Sequence, residues 1–358
     1  MTAAHVVVSG VAWSTFGELL RAAAPQARWS TIDPEGVVSE LELGAGGRDL
    51  DPTGPDEPNV LWLSNDTFYP PLRAHLTRIT GALAPGDWVQ SGAAGTDSAL
   101  FVDMIDRGLR LTTSHVTAVP IAEYTMGAVL RWYQEPERWA DAQHRHQWEH
   151  HDFREVSGTT WLIVGLGAIG TEVAIRARAF GATTVGVRRH PTGDEPVDRM
   201  ITPDQLGADE IGGADVIVLA LPSSDGPPLV DAVFLDAVRP DAVLVNVARG
   251  SVVDEPALLA ALDAGRLGHA VLDVTATEPL PDDSPLWDHP RVTLTPHSAG
   301  GGLGRFLRSA QTFTGNLERF LADEPLRHEV TPPTSPSGTT PSGTTSPTTT
   351  TDQEASNR

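Results

Sequence analysis

Three glycines and two arginines are the first residues in this chain whose types and spacing suggest chemistry. Residues 161–170 read Trp161-Leu162-Ile163-Val164-Gly165-Leu166-Gly167-Ala168-Ile169-Gly170. The first four suit a short buried strand, and Glu172 to Phe180 suit a helix. Between them, Gly165 permits a tight turn and Gly167 lets the backbone approach a pyrophosphate. Gly170 lets the helix lie against the sheet. The N–H groups that open the helix, at Ala168 and Ile169, then face the phosphates. A plain structural turn is the competing reading. The legible strand before and helix after favour a dinucleotide site.

The next strand separates the two nicotinamide dinucleotides. An NAD site carries Asp or Glu roughly 20 residues past the first glycine, on the ribose hydroxyls. Here Thr184-Val185-Gly186-Val187 runs into Arg188-Arg189-His190, and the first acid afterwards is Asp194 in a Pro/Gly loop. Two guanidinium groups can grip a 2′-phosphate with charge-assisted bonds. NADP(H) is therefore expected over NAD(H). The alternative is a solvated arginine pair.

Three further segments each bring one reactive side chain: Val247-Ala248-Arg249-Gly250, Thr277-Glu278-Pro279 and Pro296-His297-Ser298. Each lies just past an expected strand, where ligands bind in parallel sheets. Singly, Arg249 could pair with a surface carboxylate, Glu278 could cap a turn and His297 could be an ordinary turn histidine. Together, in this strand order and behind a dinucleotide turn, they are harder to obtain by accident.

The elements that must position them alternate between strand and helix. Strands are expected at 6–8, 60–63 and 88–90, with helices over 15–24 and 71–83 and a loop over 44–58. A helix over 120–142 follows, with Pro120 suited to its first turn. The second series has six strands, at 161–164, 183–187, 216–220, 243–246, 270–272 and 292–294, and a helix over 255–264. A helix over 305–321 is expected to cross back onto the first unit. The expected fold is α/β with two doubly wound parallel-sheet domains, 1–119 with 300–330, and 120–299. The remainder, 331–358, is Thr/Pro/Ser-rich and reads as a disordered tail.

Composition narrows the partners. The 358 residues hold 47 acidic and 25 basic side chains, a formal net charge of −22. Nucleic acid and anionic membrane are poor partners for such a surface. No apolar run approaches the ~18 residues of a membrane span, and no signal pattern opens the chain. A cytoplasmic location is expected. The absence of cysteine excludes thiol nucleophiles and disulfides, and the absence of lysine excludes Schiff-base chemistry. His146 and His150 have helical i, i+4 spacing beside His144 and His151, but the pattern fixes no third ligand, and no metal is expected. Trp132, Trp139, Trp148 and Trp287 suit core or subunit contacts better than an aromatic cage.

The motifs GLGAIG, NVARGSVVDEPAL, DVTATEPLP and TPHSAG together resemble the D-isomer-specific 2-hydroxyacid dehydrogenase family. The resemblance spans nearly everything from Val6 to Val330 and is strongest to the glyoxylate/hydroxypyruvate reductase branch. It implies a Rossmann NAD(P) domain, a flavodoxin-like substrate domain and a small 2-keto acid as substrate. By this resemblance Arg249 holds the substrate carboxylate and carbonyl oxygen, His297 is the general acid, and Glu278 orients His297. Asp273 would meet the nicotinamide amide, and Pro222 and Ser224 would lie beside the cofactor. The N–H groups of Ala94 and Gly95 would bind the substrate carboxylate. The relatives also imply a homodimer, formed through 122–132. The loop 221–228 departs from the family's Thr-containing form, and Gly300-Gly301-Gly302 is richer in glycine than usual. Two other readings stay open. One is a non-catalytic dinucleotide-sensing scaffold or corepressor; the other is a formate-type dehydrogenase, in which Gln usually stands where Glu278 stands.

Overall fold

The computed structural model describes residues 4–41, 59–96, 98–222 and 226–330. The expected loop over 44–58, the tail 331–358 and Ser224 lie outside the described residues.

The first series comprises β1 (His5–Ser9), α1 (Gly10–Ala23), β2 (Arg28–Ile32), β3 (Val38–Glu40), β4 (Asn59–Leu63), α2 (Leu76–Gly81), β5 (Trp88–Ser91), α3 (Ala99–Asp106) and β6 (Arg110–Thr112). They form one sheet in the order β3-β2-β1-β4-β5-β6. Only β3 runs antiparallel to its neighbour. The apolar runs follow from burial on both faces. Val6, Val8, Val60 and Trp62 face one layer, and Val7, Leu61 and Leu63 face the other. Helix α1 starts five residues earlier than expected, because Ser9 Oγ accepts the Ala12 N–H at 2.9 Å and caps it.

The expected helix over 120–142 is two helices, α4 (Ala118–Gln134) and α5 (Pro136–His144). Glu135 between them adopts a left-handed backbone, φ 46°. Pro136 then opens α5, where its missing N–H costs nothing.

The second series comprises β7 (Thr160–Val164), α6 (Ala168–Ala179), β8 (Thr183–Val187), β9 (Arg199–Ile201), α7 (Ala208–Gly212), β10 (Val216–Leu219), α8 (Ala232–Ala237), β11 (Val243–Asn246), α9 (Glu255–Asp263), β12 (His269–Leu272) and β13 (Val292–Leu294). The sheet is parallel, in the order β13-β12-β11-β10-β7-β8-β9. All six expected strands are present. The seventh, β9, is a three-residue edge strand on β8 and carries no apolar run that would announce it.

Two helices connect the halves. Ala122, Met126 and Val129 of α4 are buried with Trp161 and Ile163 against the second sheet. The last helix, α10 (Arg305–Leu321), returns to the first. Its Ala310, Phe313 and Leu317 are buried with Val6, Trp62 and Trp88. The Phe313 ring stacks on Trp62, with centroids 4.8 Å apart.

Candidate active site

Arg249, Glu278 and His297 leave three neighbouring strands, β11, β12 and β13, at their carboxyl ends. The first exit is shaped by Asn246, whose Nδ2 donates to the Arg249 carbonyl at 3.0 Å. Its Oδ1 accepts the Ala248 N–H at 3.1 Å. A Cβ on Gly250 would come within 2.0 Å of the Thr275 carbonyl group, so only glycine lets these two exits touch. Arg249 thereby lies against the segment that leads to Glu278. Its Nη1 donates to the Ala248 carbonyl at 2.8 Å.

Glu278 makes two contacts. Its Oε1 accepts the Thr275 N–H at 3.2 Å, closing a turn. Its Oε2 lies 2.8 Å from His297 Nδ1. Both side chains are open to solvent, 38% and 53% exposed, so water screens the attraction. What the contact sets is ring orientation and tautomer, with Nε2 on the side of the ring away from Glu278. His297 has a left-handed backbone, φ 51°, which few non-glycine residues adopt. Its N–H donates to the Asp273 carbonyl at 2.8 Å.

Asp273 is buried. Its Oδ1 accepts the Ser298 and Ala299 N–H groups at 2.8 and 3.0 Å. The carboxylate thus builds the turn that carries His297.

The three glycines of the turn differ in their surroundings. Gly165 has φ 96°, and a Cβ there would sit 2.5 Å from the Ala220 carbonyl oxygen. A Cβ on Gly170 would sit 2.2 Å from the Gly165 oxygen, whereas one on Gly167 would meet nothing within 4 Å. Gly167 caps α6, and the N–H groups of Ala168, Ile169 and Gly170 have no partner within the helix. The turn lies between β7 and β10, where the strand order reverses. Open backbone, unpaired donors and a switch point fit a dinucleotide pyrophosphate. Pro222 is exposed at the β10 exit.

The arginine pair is less uniform than its sequence suggests. Arg188 Nη1 lies 3.3 Å from Glu195 Oε1. The Thr192 N–H foremost, then the N–H groups of Glu195 itself and Gly193, hydrogen-bond the Glu195 carboxylate and pull its pKa down to about 2. Glu195 lies one residue beyond Asp194 in the Gly193-Asp194-Glu195 turn, and that turn brings it back to Arg188. Arg189 is exposed and has no carboxylate partner among the described residues.

Ala94 and Gly95 belong to the other sheet, just past β5. Gly92 donates to the Leu63 carbonyl at 2.7 Å, and Ser91 Oγ accepts the Ala93 N–H at 3.0 Å. The residues expected to meet the substrate therefore stand after strands of both sheets. The histidine cluster is not one helix face: α5 ends at His144, and His146 has φ 55°. Among the tryptophans, Trp132 stacks on His269, but Trp148 and Trp287 are exposed and belong to no core.

Residues 126–299 match the D-isomer specific 2-hydroxyacid dehydrogenase NAD binding domain. Glyoxylate/hydroxypyruvate reductase A of Citrobacter koseri is 32% identical over 214 residues, 58% of this chain and 68% of that protein. The chain belongs to the D-isomer-specific 2-hydroxyacid dehydrogenase family. A family member from Aeromonas salmonicida superposes with a TM-score of 0.70 at 28% identity, over 92% of this chain and 99% of that one. A second, from Xanthobacter autotrophicus and solved with NADPH and MES, gives 0.66 at 25% identity, over 92% and 98%. This dehydrogenase is thus an NAD(P)-dependent oxidoreductase of 2-hydroxy acids, with the α/β architecture expected of it. Among the described residues no helix is long and apolar enough to cross a membrane.

Proposed function

We propose that this dehydrogenase is an NADPH-preferring reductase of small 2-keto acids, glyoxylate and hydroxypyruvate among them, giving D-2-hydroxy acids. The observation that carries the proposal is the His297–Glu278 contact of 2.8 Å beside the Arg249 exit. The bound dinucleotide supplies the hydride. Arg249 holds the substrate carboxylate and carbonyl oxygen with its planar fork, and the N–H groups of Ala94 and Gly95 hold the same carboxylate from the other side. His297, protonated and steadied by Glu278, gives its proton to the carbonyl oxygen as the neighbouring carbon is reduced. Asp273 Oδ2, which takes only the Ala299 N–H at 3.1 Å, keeps capacity for the nicotinamide amide. Clamping one anion from two halves orients the substrate and helps exclude water.

The domains are 1–119 with 300–330, and 120–299, a division supported by the return of α10 to the first sheet. Arg188 and Arg189 receive the 2′-phosphate, and the relative solved with NADPH supports that choice. Two copies assemble through 122–132, on α4. The glyoxylate/hydroxypyruvate reductase of Citrobacter koseri supports the substrate class.

The test is nicotinamide absorbance with the purified full chain. NADPH and NADH are each offered with glyoxylate, hydroxypyruvate, pyruvate and a longer keto acid. The expected result is keto-acid-dependent oxidation of NADPH that falls by roughly 10²–10⁴-fold in His297→Ala while NADPH still binds. Binding without turnover across the panel would favour the sensing scaffold.

A further inference from the structure

The turn that presents His297 is held from behind by a directed chain of side-chain hydrogen bonds. Thr295 Oγ1 donates to Asp273 Oδ1 at 2.6 Å. The Tyr124 hydroxyl lies 2.8 Å from the same Thr295 oxygen. A threonine hydroxyl has one proton, and Thr295 gives it to the carboxylate, so Tyr124 must be the donor to Thr295. The chain therefore runs from Tyr124 through Thr295 to Asp273. With Ser298 and Ala299, Thr295 brings the donors on Asp273 Oδ1 to three. Burial raises the Tyr124 phenol pKa above 10, with the Asp273 charge adding to the rise and the Thr295 bond opposing it. It remains a donor at neutral pH.

This chain reaches the turn from a different part of the molecule. Tyr124 lies on α4, which is packed on the second sheet and joins it to the first. A Cβ on Gly302 would sit 2.6 Å from Pro120 Cβ, so α4 meets the segment after His297 at a second point. The glycine-rich run is thus packed closely at Gly302. A left-handed backbone is costly for a histidine and persists only where its surroundings hold it.

We infer that Tyr124 and Thr295 are positioning residues for proton transfer by His297, acting through the Asp273 carboxylate. The inference rests on the reading of His297 as the general acid. Without the Thr295 hydroxyl, Asp273 Oδ1 loses its shortest donor and the turn loses its hydrogen-bonded link to α4. Nε2 then drifts from the substrate oxygen, and a misplacement of about 1 Å costs about 10²-fold in rate.

The experiment uses the full chain with NADPH and hydroxypyruvate or glyoxylate. Thr295→Val, which keeps shape and removes the hydroxyl, should lower kcat by about tenfold or more. NADPH affinity, read by fluorescence, and the keto-acid KM should hold. Thr295→Ser should return most of the rate. Tyr124→Phe, which removes one oxygen and is safe for folding, should lower kcat in the same direction. Wild-type kcat in both Thr295→Val and Tyr124→Phe would overturn the inference. So would a joint loss of kcat and NADPH affinity that Thr295→Ser does not rescue. His297→Ala run alongside separates the two ideas. If it keeps its turnover, the acid reading fails and takes the inference with it. If it is inactive while the other two variants are normal, the inference alone fails.

Discussion

The glycines of the 165–170 turn are not interchangeable, although all lack a side chain. Gly165 and Gly170 are required by neighbours that a Cβ would strike, whereas Gly167 borders open space. The first two make the turn, and the third leaves room for a ligand. The arginine pair shows a similar division. Arg188 is held by a carboxylate of its own loop, and Arg189 is not. Arg188→Asp combined with Arg189→Ser should lower the NADPH-to-NADH ratio of kcat/KM by at least about tenfold, since two charge-assisted donors to a 2′-phosphate are lost. Steady-state kinetics with both cofactors checks this. An unaltered ratio would mean that other residues grip the phosphate.

Helix α10 closes the first sheet, and α4 lies against the second. The positions of Phe313 and Leu317 were readable as one apolar face at helical spacing, but their target was not, because periodicity reports a face and not its partner. Phe313 is fully buried and stacks on both Trp62 and Trp88. Phe313→Ala should destabilise the protein by about 3–5 kcal/mol. Urea unfolding followed by tryptophan fluorescence measures it. A midpoint equal to wild type would show that α10 adds nothing to the first core. The split between α4 and α5 was partly legible too. Pro136 is the residue that marks it, since proline suits the first turn of a helix and not its interior.

Acid sensitivity belongs to the molecule as a whole, since it sums over every group whose proton affinity changes on folding. His269 is one contributor with a clear sign. It is buried beneath Trp132, with centroids 3.9 Å apart. Burial foremost, then the nearby His289 and Arg131 charges, lowers its pKa from 6.5 to about 4. Between these pH values the unfolded chain binds the proton and the folded chain does not. The stabilisation is complete above pH 6.5 and is lost as pH falls toward 4, on the order of 3 kcal/mol in all. The drop in melting temperature from pH 6.5 to 4.5 should be smaller in His269→Gln than in wild type; equal drops would discount His269. The linear chain was enough for what depends on neighbours in sequence. It disclosed the glycine turn, the apolar strands buried on both faces, and the Arg, Glu and His that follow three of those strands. These signals are local, because backbone freedom and side-chain period are properties of a few consecutive residues. Contacts between distant residues needed the folded molecule. Tyr124 and Thr295 are 171 positions apart, and Asp273 and Ala299 are 26 apart. No spacing rule records such pairs, since packing of helix on sheet brings them within hydrogen-bond reach.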